Sequence, residues 1–91
     1  MIIYDLPCMD NRKSFYGKAK VIEHDDGTKE LLSYDTIVCK LNPGAEFVRL
    51  WCGYSATTQR HVNSFLRFFG CGNYGGKAFW DACNTNETIQ L

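Results

Sequence analysis

Several things are missing from this chain, and each absence removes a class of protein. No apolar run approaches the ~18–20 residues that a membrane-spanning helix needs. The opening Met1-Ile2-Ile3-Tyr4-Asp5 has neither the basic start nor the long apolar middle of a secretory signal, so a cytosolic protein is expected. Excess charge is missing as well. Ten Lys and Arg balance ten Asp and Glu, which leaves no general field to draw in a nucleic acid backbone and makes nucleic acid the weakest class of partner. Close cysteine pairs are also absent. Cys8, Cys39, Cys52, Cys71 and Cys83 are odd in number and contain no Cys-x-x-Cys, so free thiols are expected in place of a disulfide framework or a zinc ribbon. No metal site and no other cofactor is expected. Without repeats, charge blocks or a long linker, the 91 residues read as one domain, 1–91, with a single core.

What is present is 45% hydrophobic and 14% aromatic, an ordinary globular composition in which aromatic side chains must supply much of the core. Residues 1–14, interrupted by Pro7, show no clear period and read as an irregular or partly stranded lead-in. Residues 15–51 read as a β meander. Phe15, Ala19 and Val21 alternate with Tyr16, Lys18, Lys20 and Ile22, and His24-Asp25-Asp26-Gly27-Thr28 supplies turn chemistry. Strand character resumes from Glu30 to Leu41, with room for a bulge or bend at Ser33-Tyr34-Asp35-Thr36, and Asn42-Pro43-Gly44-Ala45 turns the chain again before Glu46 to Trp51.

The main helix is expected over 55–69. At 100° per residue Val62, Phe65, Leu66 and Phe69 gather on one face with Thr58 beside them, while Arg60 and Arg67 point the opposite way, flanked by Asn63 and Ser64. His61 and Phe68 share a boundary. Ser55 is placed to cap the N-terminus through the amide of Thr57 or Thr58, and Gly70 to stop the helix in a left-handed conformation. A glycine-rich loop (70–76), a short helix (77–83) and a polar tail (84–91), stranded or frayed, complete the chain. The expected fold is therefore α+β: a three-stranded antiparallel meander packed against one main amphipathic helix, with a short C-terminal helix.

Four groups of residues invite a chemical reading. Gly76-Lys77 suggests a phosphate loop, but Cys71 stands where that motif needs glycine and Ala78 where it needs Ser or Thr, so a connector is expected. Ser55, Thr57 and Thr58 surround a helix start whose free amides and positive dipole end suit an anion, with Arg60 one turn inside. Ordinary capping explains the same hydroxyls. His61, Cys52 and Cys71 offer a base and two thiols, yet nothing in the sequence completes a catalytic set or a metal site. Arg60, Asn63 and Arg67 form a polar helix face, and Tyr16, Tyr54, Phe68, Tyr74 and one of the two tryptophans exceed what so small a core can hold. Arginine beside exposed aromatics is the composition of an interface.

Ser33-Tyr34-Asp35-Thr36-Ile37-Val38, followed by Trp51-x-Gly53-Tyr54-Ser55-Ala56-Thr57-Thr58-Gln59-Arg60-His61-Val62 and Phe65-Leu66, resembles a family of small proteins without an assigned activity carried by bacteriophages, prophages and plasmids. Ser55-x-Thr57-Thr58-x-Arg60-His61 is the most specific part of that pattern. The resemblance implies a mobile-element accessory protein, and such proteins often bind and block a host defence component, CRISPR-type systems included. A non-enzymatic, phage-like inhibitor of a host protein is therefore the leading expectation, with Arg60, Asn63, Arg67, Phe68 and Tyr54 as its partner-binding residues. A homo-oligomer is a further arrangement to test. The alternative is a protein that sequesters a nucleotide signal at Ser55, Thr57, Thr58 and Arg60, and a nucleic-acid-binding module comes third.

Overall fold

Two periods organise the chain, and the structure, a computed structural model describing residues 1–91, separates them. Period-two segments form β1 (Ile2–Asp5), β2 (Ala19–Glu23), β3 (Lys29–Ser33), β4 (Thr36–Asn42), β5 (Glu46–Arg49) and β6 (Thr88–Gln90). Period-3.6 segments form α1 (Ala56–Phe68) and the shorter α2 (Gly76–Ala82), both between β5 and β6. All six strands join one antiparallel sheet in chain order, β1-β2-β3-β4-β5-β6. The class is α+β, and the expected three-stranded meander is corrected to six strands.

Each added strand has a physical origin. The run from 30 to 41 is a hairpin, because Tyr34-Asp35 forms a two-residue turn that pairs Ser33 with Thr36. Tyr34 takes a φ of 54° there, without the glycine or asparagine that announces such a turn in a sequence. β1 lies in the expected lead-in, where Ile2 faces Glu23 and Asp5 faces Lys20. β6 lies in the tail, where Phe47 pairs with Ile89 after the two helices have returned the chain to the edge of β5. Segments of three or four residues are too short to display a period. Residues 15–18, expected to begin a strand, form a tight turn in which Lys18 N–H donates to Phe15 O at 2.8 Å. Tyr16 and Gly17 adopt φ of 51° and 76° at its centre.

The pleat sends alternate side chains to opposite faces, and register aligns them from strand to strand. Val21 lies opposite Leu31, Leu31 opposite Cys39, and Leu41 opposite Phe47, which makes one continuous apolar face. Val38 is an extra residue in β4 at a register shift, and its carbonyl accepts from Leu50 and Trp51 N–H at 2.9 and 3.1 Å. α1 packs on this face with Val62, Phe65 and Leu66 buried and Phe69 partly buried, completing the stripe read from the helical repeat. Its ends also follow the sequence. Ser55 Oγ accepts from Thr58 N–H at 3.1 Å. Gly70, at φ 79°, and Cys71 donate to Arg67 O and Leu66 O at 3.1 and 2.7 Å, a Schellman stop.

Beyond β5 the chain closes around Arg49, whose parity with Phe47 points it into the core, where only 8% of it is exposed. Its guanidinium lies 4.3 Å from the centre of the Trp80 ring. Nε donates to Trp51 O at 2.8 Å, Nη1 to Trp80 O and Cys83 O at 2.8 and 3.4 Å, and Nη2 to Cys52 O and Gly53 O at 2.9 and 3.2 Å. Trp80 Nε1 donates to the same Gly53 carbonyl at 2.9 Å. Trp80 is buried and Trp51 packs against the core, so the expected exposed tryptophan is corrected: both rings serve the fold.

Gly53 is required because the Trp51 ring covers it: a Cβ at this position would meet Trp51 Cζ2 at 2.4 Å. Gly53→Ala should therefore displace that ring and cost about 1–3 kcal/mol. The check is the urea midpoint, and an unchanged midpoint would show that the ring has room to move.

Candidate functional site

Arg60 is half-buried, which corrects the expectation that it points to solvent, whereas Asn63 and Arg67 are exposed as expected and also make contacts within the fold. Arg60 clamps the lead-in: Nε donates to Asp10 Oδ2 at 2.8 Å, and Nη2 to Asp10 Oδ1 at 3.1 Å and Lys13 O at 3.2 Å. This two-pronged contact, with the Cys8 thiol hydrogen-bonded to the same carboxylate, holds Asp10 well below the usual carboxylate range. Arg67 donates to Met9 O at 2.7 Å, and Ser64, buried rather than flanking a solvent face, accepts from Met9 N–H at 3.2 Å. Asn63 serves the other side. Its Oδ1 accepts from Gly76 N–H at 2.8 Å and from Gln59 Nε2 at 2.9 Å, supplying the start of α2 with the side-chain cap that Gly75 lacks. Gly75 is needed for this approach: it has a φ of 123°, and a Cβ would meet Asn63 Oδ1 at 2.9 Å. The glycine-rich loop thus folds back onto α1, leaving a polar hollow of about 240 Å³ lined by Asn63, Arg67 and Tyr74.

The expected anion site does not converge. Ser55 Oγ is committed to its cap, and Thr58 turns inward, with Oγ1 3.0 Å from Ser33 Oγ. Thr57 and Arg60 instead line a different feature, a cleft of about 340 Å³ above His61. His61 is 1% exposed. Its Nδ1 lies 2.8 Å from Ser33 Oγ, and its ring stacks edge-on against Phe15 at 4.5 Å and tilted to Tyr34 at 5.7 Å. Phe15, Tyr16 and Tyr34 give the cleft its aromatic lining. The two turns that carry the tyrosines are joined by Tyr34 N–H donating to Lys18 O at 2.8 Å.

The remaining proposed contact residues diverge. Phe68 is exposed and tilts against Tyr4 of β1 at 6.2 Å, whereas Tyr54 lies under the Lys77 ammonium at 5.1 Å, beside α2. Phe68 therefore belongs with the β1 edge, where Ile2 and Ile3 are exposed. Leu6 N–H donates to Ala19 O at 2.9 Å. Antiparallel pairs alternate, so Ile2 and Tyr4 face β2, and the N–H and C=O groups of Ile3 and Asp5 point away from the sheet. β1 has no second neighbour to receive them. Cys52 is exposed, Cys71 partly buried and His61 enclosed, and no group of three or more His, Cys, Asp or Glu side chains is gathered closely enough to hold a metal ion.

The role of Arg49 and the cleft were not expected from the sequence, and the partly stranded lead-in was expected without its place at the sheet edge. Of the first two, only Arg49 left a signal, as a charge at core parity between Phe47 and Trp51.

An α+β domain with a sequential antiparallel meander, a clamped lead-in and one aromatic cleft is the class that fold and site define. The chain belongs to the family of unknown function DUF8033, which matches residues 4–82, from β1 to the end of α2. No curated protein and no solved structure matches it. No helix is long and apolar enough to cross a membrane.

Burial, with the positive charge of Arg60 second, pushes His61 down from 6.5 to about 4. The unfolded chain takes up this proton near pH 6.5 while the folded chain refuses it until about pH 4, so stability is full above 6.5 and declines as pH falls towards 4. The open cleft above the ring moderates the loss to about 2 kcal/mol. Urea unfolding between about pH 7.5 and pH 4.5 should show this decline in the native protein and a smaller one in His61→Phe. Equal declines would assign the proton to another group.

Proposed function

We propose that this protein is a small non-enzymatic accessory protein of phage-like origin that acts by binding a host protein, a component of host defence, at the free edge of β1. The observation that carries this reading is the edge itself. Outward-facing backbone groups at Ile3 and Asp5 stand beside the exposed side chains of Ile2, Ile3 and Phe68. An exposed apolar edge without lysine, bulge or proline invites a partner strand, whose backbone bonds supply affinity while side-chain contacts supply specificity. The motif resemblance to mobile-element proteins supports the choice of a host partner.

A non-enzymatic role is favoured by what surrounds the one hydroxyl–imidazole pair. Ser33 is 3% exposed, and its other neighbour is Thr58 rather than a carboxylate that could orient the imidazole. Of the earlier partner-binding set, Phe68 remains at this edge, while Arg60, Asn63 and Arg67 hold the fold.

Ile3→Pro tests the edge directly, because it removes the exposed Ile3 side chain and, among the backbone hydrogen-bonding groups, only an N–H that faces away from β2. Affinity capture from host lysate should yield a stoichiometric protein partner with the native chain and none with Ile3→Pro, while thermal midpoints stay within a few degrees. Absence of any partner, or equal capture by both, would overturn the proposal. A native homodimer that Ile3→Pro dissolves would replace the host protein with a second copy of the chain.

A further inference from the structure

The cleft above His61 has features that neither the fold nor the β1 edge requires. Tyr16 and Tyr34 both line it, and both hold a left-handed backbone, with φ of 51° and 54°. For a bulky side chain this is a genuine outlier, and such strain concentrates where a ligand is held. Burial does not explain it. Tyr16 is 72% exposed and Tyr34 49% exposed, so neither ring repays the conformation by entering the core. The hydrogen bond from Tyr34 N–H to Lys18 O fixes the two turns to each other and hence the two rings to one cleft.

His61 supplies a second, independent observation. Its side chain is enclosed, its Nδ1 is engaged by Ser33, and its Nε2 has no partner in the protein although the ring lines the cleft. Nε2 is therefore the ring atom free to pair with a ligand in the cleft, whereas the buried polar atom left without a partner lies elsewhere, at Gln59 Oε1. The charges are also distinctive. Arg60 is matched by Asp10, but Lys13 and Lys18, which line the same cleft, take part in none of the five ion pairs. Two unmatched ammonium groups beside an aromatic lining and one directional polar atom describe a planar, anionic ligand. A volume of about 340 Å³ lies at the small end of the range of ligand sites.

We propose that this cleft binds a mononucleotide, with its base stacked against Tyr16 and Tyr34, its base edge hydrogen-bonded to His61 Nε2 and its phosphate met by Lys13 and Lys18. A base edge carries both donors and acceptors, so it satisfies Nε2 in whichever tautomer the Ser33–Thr58 hydroxyl pair selects. Stacking on an aromatic face tolerates any base, so selectivity rests on His61. The site is separate from the β1 edge and does not depend on a protein partner.

Titration of the ¹⁵N-labelled protein with AMP, GMP, CMP and UMP, with inorganic phosphate as the control, tests this. At least one nucleotide should cause saturable shifts confined to residues 13–18, 34 and 57–61, with phosphate alone causing none. Tyr16→Gly and Tyr34→Gly accept the left-handed backbone freely, so they should fold at least as well as the native chain yet weaken binding tenfold or more. Lys13→Ala with Lys18→Ala should weaken binding and flatten its dependence on salt. Binding by Ile3→Pro should equal that of the native chain, which separates this site from the edge. No saturable shift at millimolar nucleotide, shifts reproduced by phosphate alone, or unweakened binding in both tyrosine variants would overturn the proposal.

Discussion

A single buried cation holds the C-terminal half of this protein in place. Arg49 has no carboxylate partner, and its charge is balanced by five backbone carbonyls and the face of Trp80. The carbonyls come from two places, the Trp51 to Gly53 turn that precedes α1 and the end of α2. The latter is where a helix concentrates its negative partial charge. The Arg49 carbonyl in turn accepts from Asn86 N–H at 2.7 Å, just before β6. One residue thus joins β5, the entry to α1, the exit of α2 and the return to the sheet. That is how two helices can be inserted between neighbouring strands without opening the ladder between them. The planar guanidinium suits this task, since its fork of donors reaches separated carbonyls that a lysine ammonium could not span together.

α1 distributes further constraints around its circumference. Val62, Phe65 and Leu66 face the sheet, Asn63 receives the glycine-rich loop, and Arg60 and Arg67 hold residues 8–13. Its exposed Asn63 and Arg67 are tied to the loop and the lead-in, while Phe68 is left facing the β1 edge. The surface without structural duty lies elsewhere, at the open side of β1 and in the cleft between the Tyr16 and Tyr34 turns. Both features arise where short turns and a short strand depart from regular patterning, consistent with function residing in local irregularities of a regular scaffold.

Legibility in the sequence followed the strength of local signals. The helix was readable at both ends because Ser55 and Gly70 act through contacts within one turn, and its core stripe was readable because the repeat extends over several turns. At Ser33-Tyr34-Asp35-Thr36 a bulge or bend was readable but not the hairpin, because tyrosine fills the left-handed position where glycine or asparagine would announce the turn. β1 and β6 were too short to show alternation. The contacts that Arg60, Asn63 and Arg67 make within the fold were not legible for a related reason. A helical wheel shows which residues point away from the sheet, but it cannot show that the lead-in and the glycine-rich loop return to cover them. Arg49 was visible at core parity, but the carbonyls that make its burial tolerable come from segments up to 34 residues distant.

The central role of Arg49 is tested most directly by urea unfolding of Arg49→Lys, which keeps the charge and removes the fork. A loss of about 2–4 kcal/mol is expected from the carbonyls left without a donor. It should be accompanied by collapse of the near-ultraviolet circular dichroism of Trp80 and by faster amide exchange in β6. A variant that unfolds within about 0.5 kcal/mol of the native protein, with β6 protection intact, would contradict the dependence of this fold on that guanidinium.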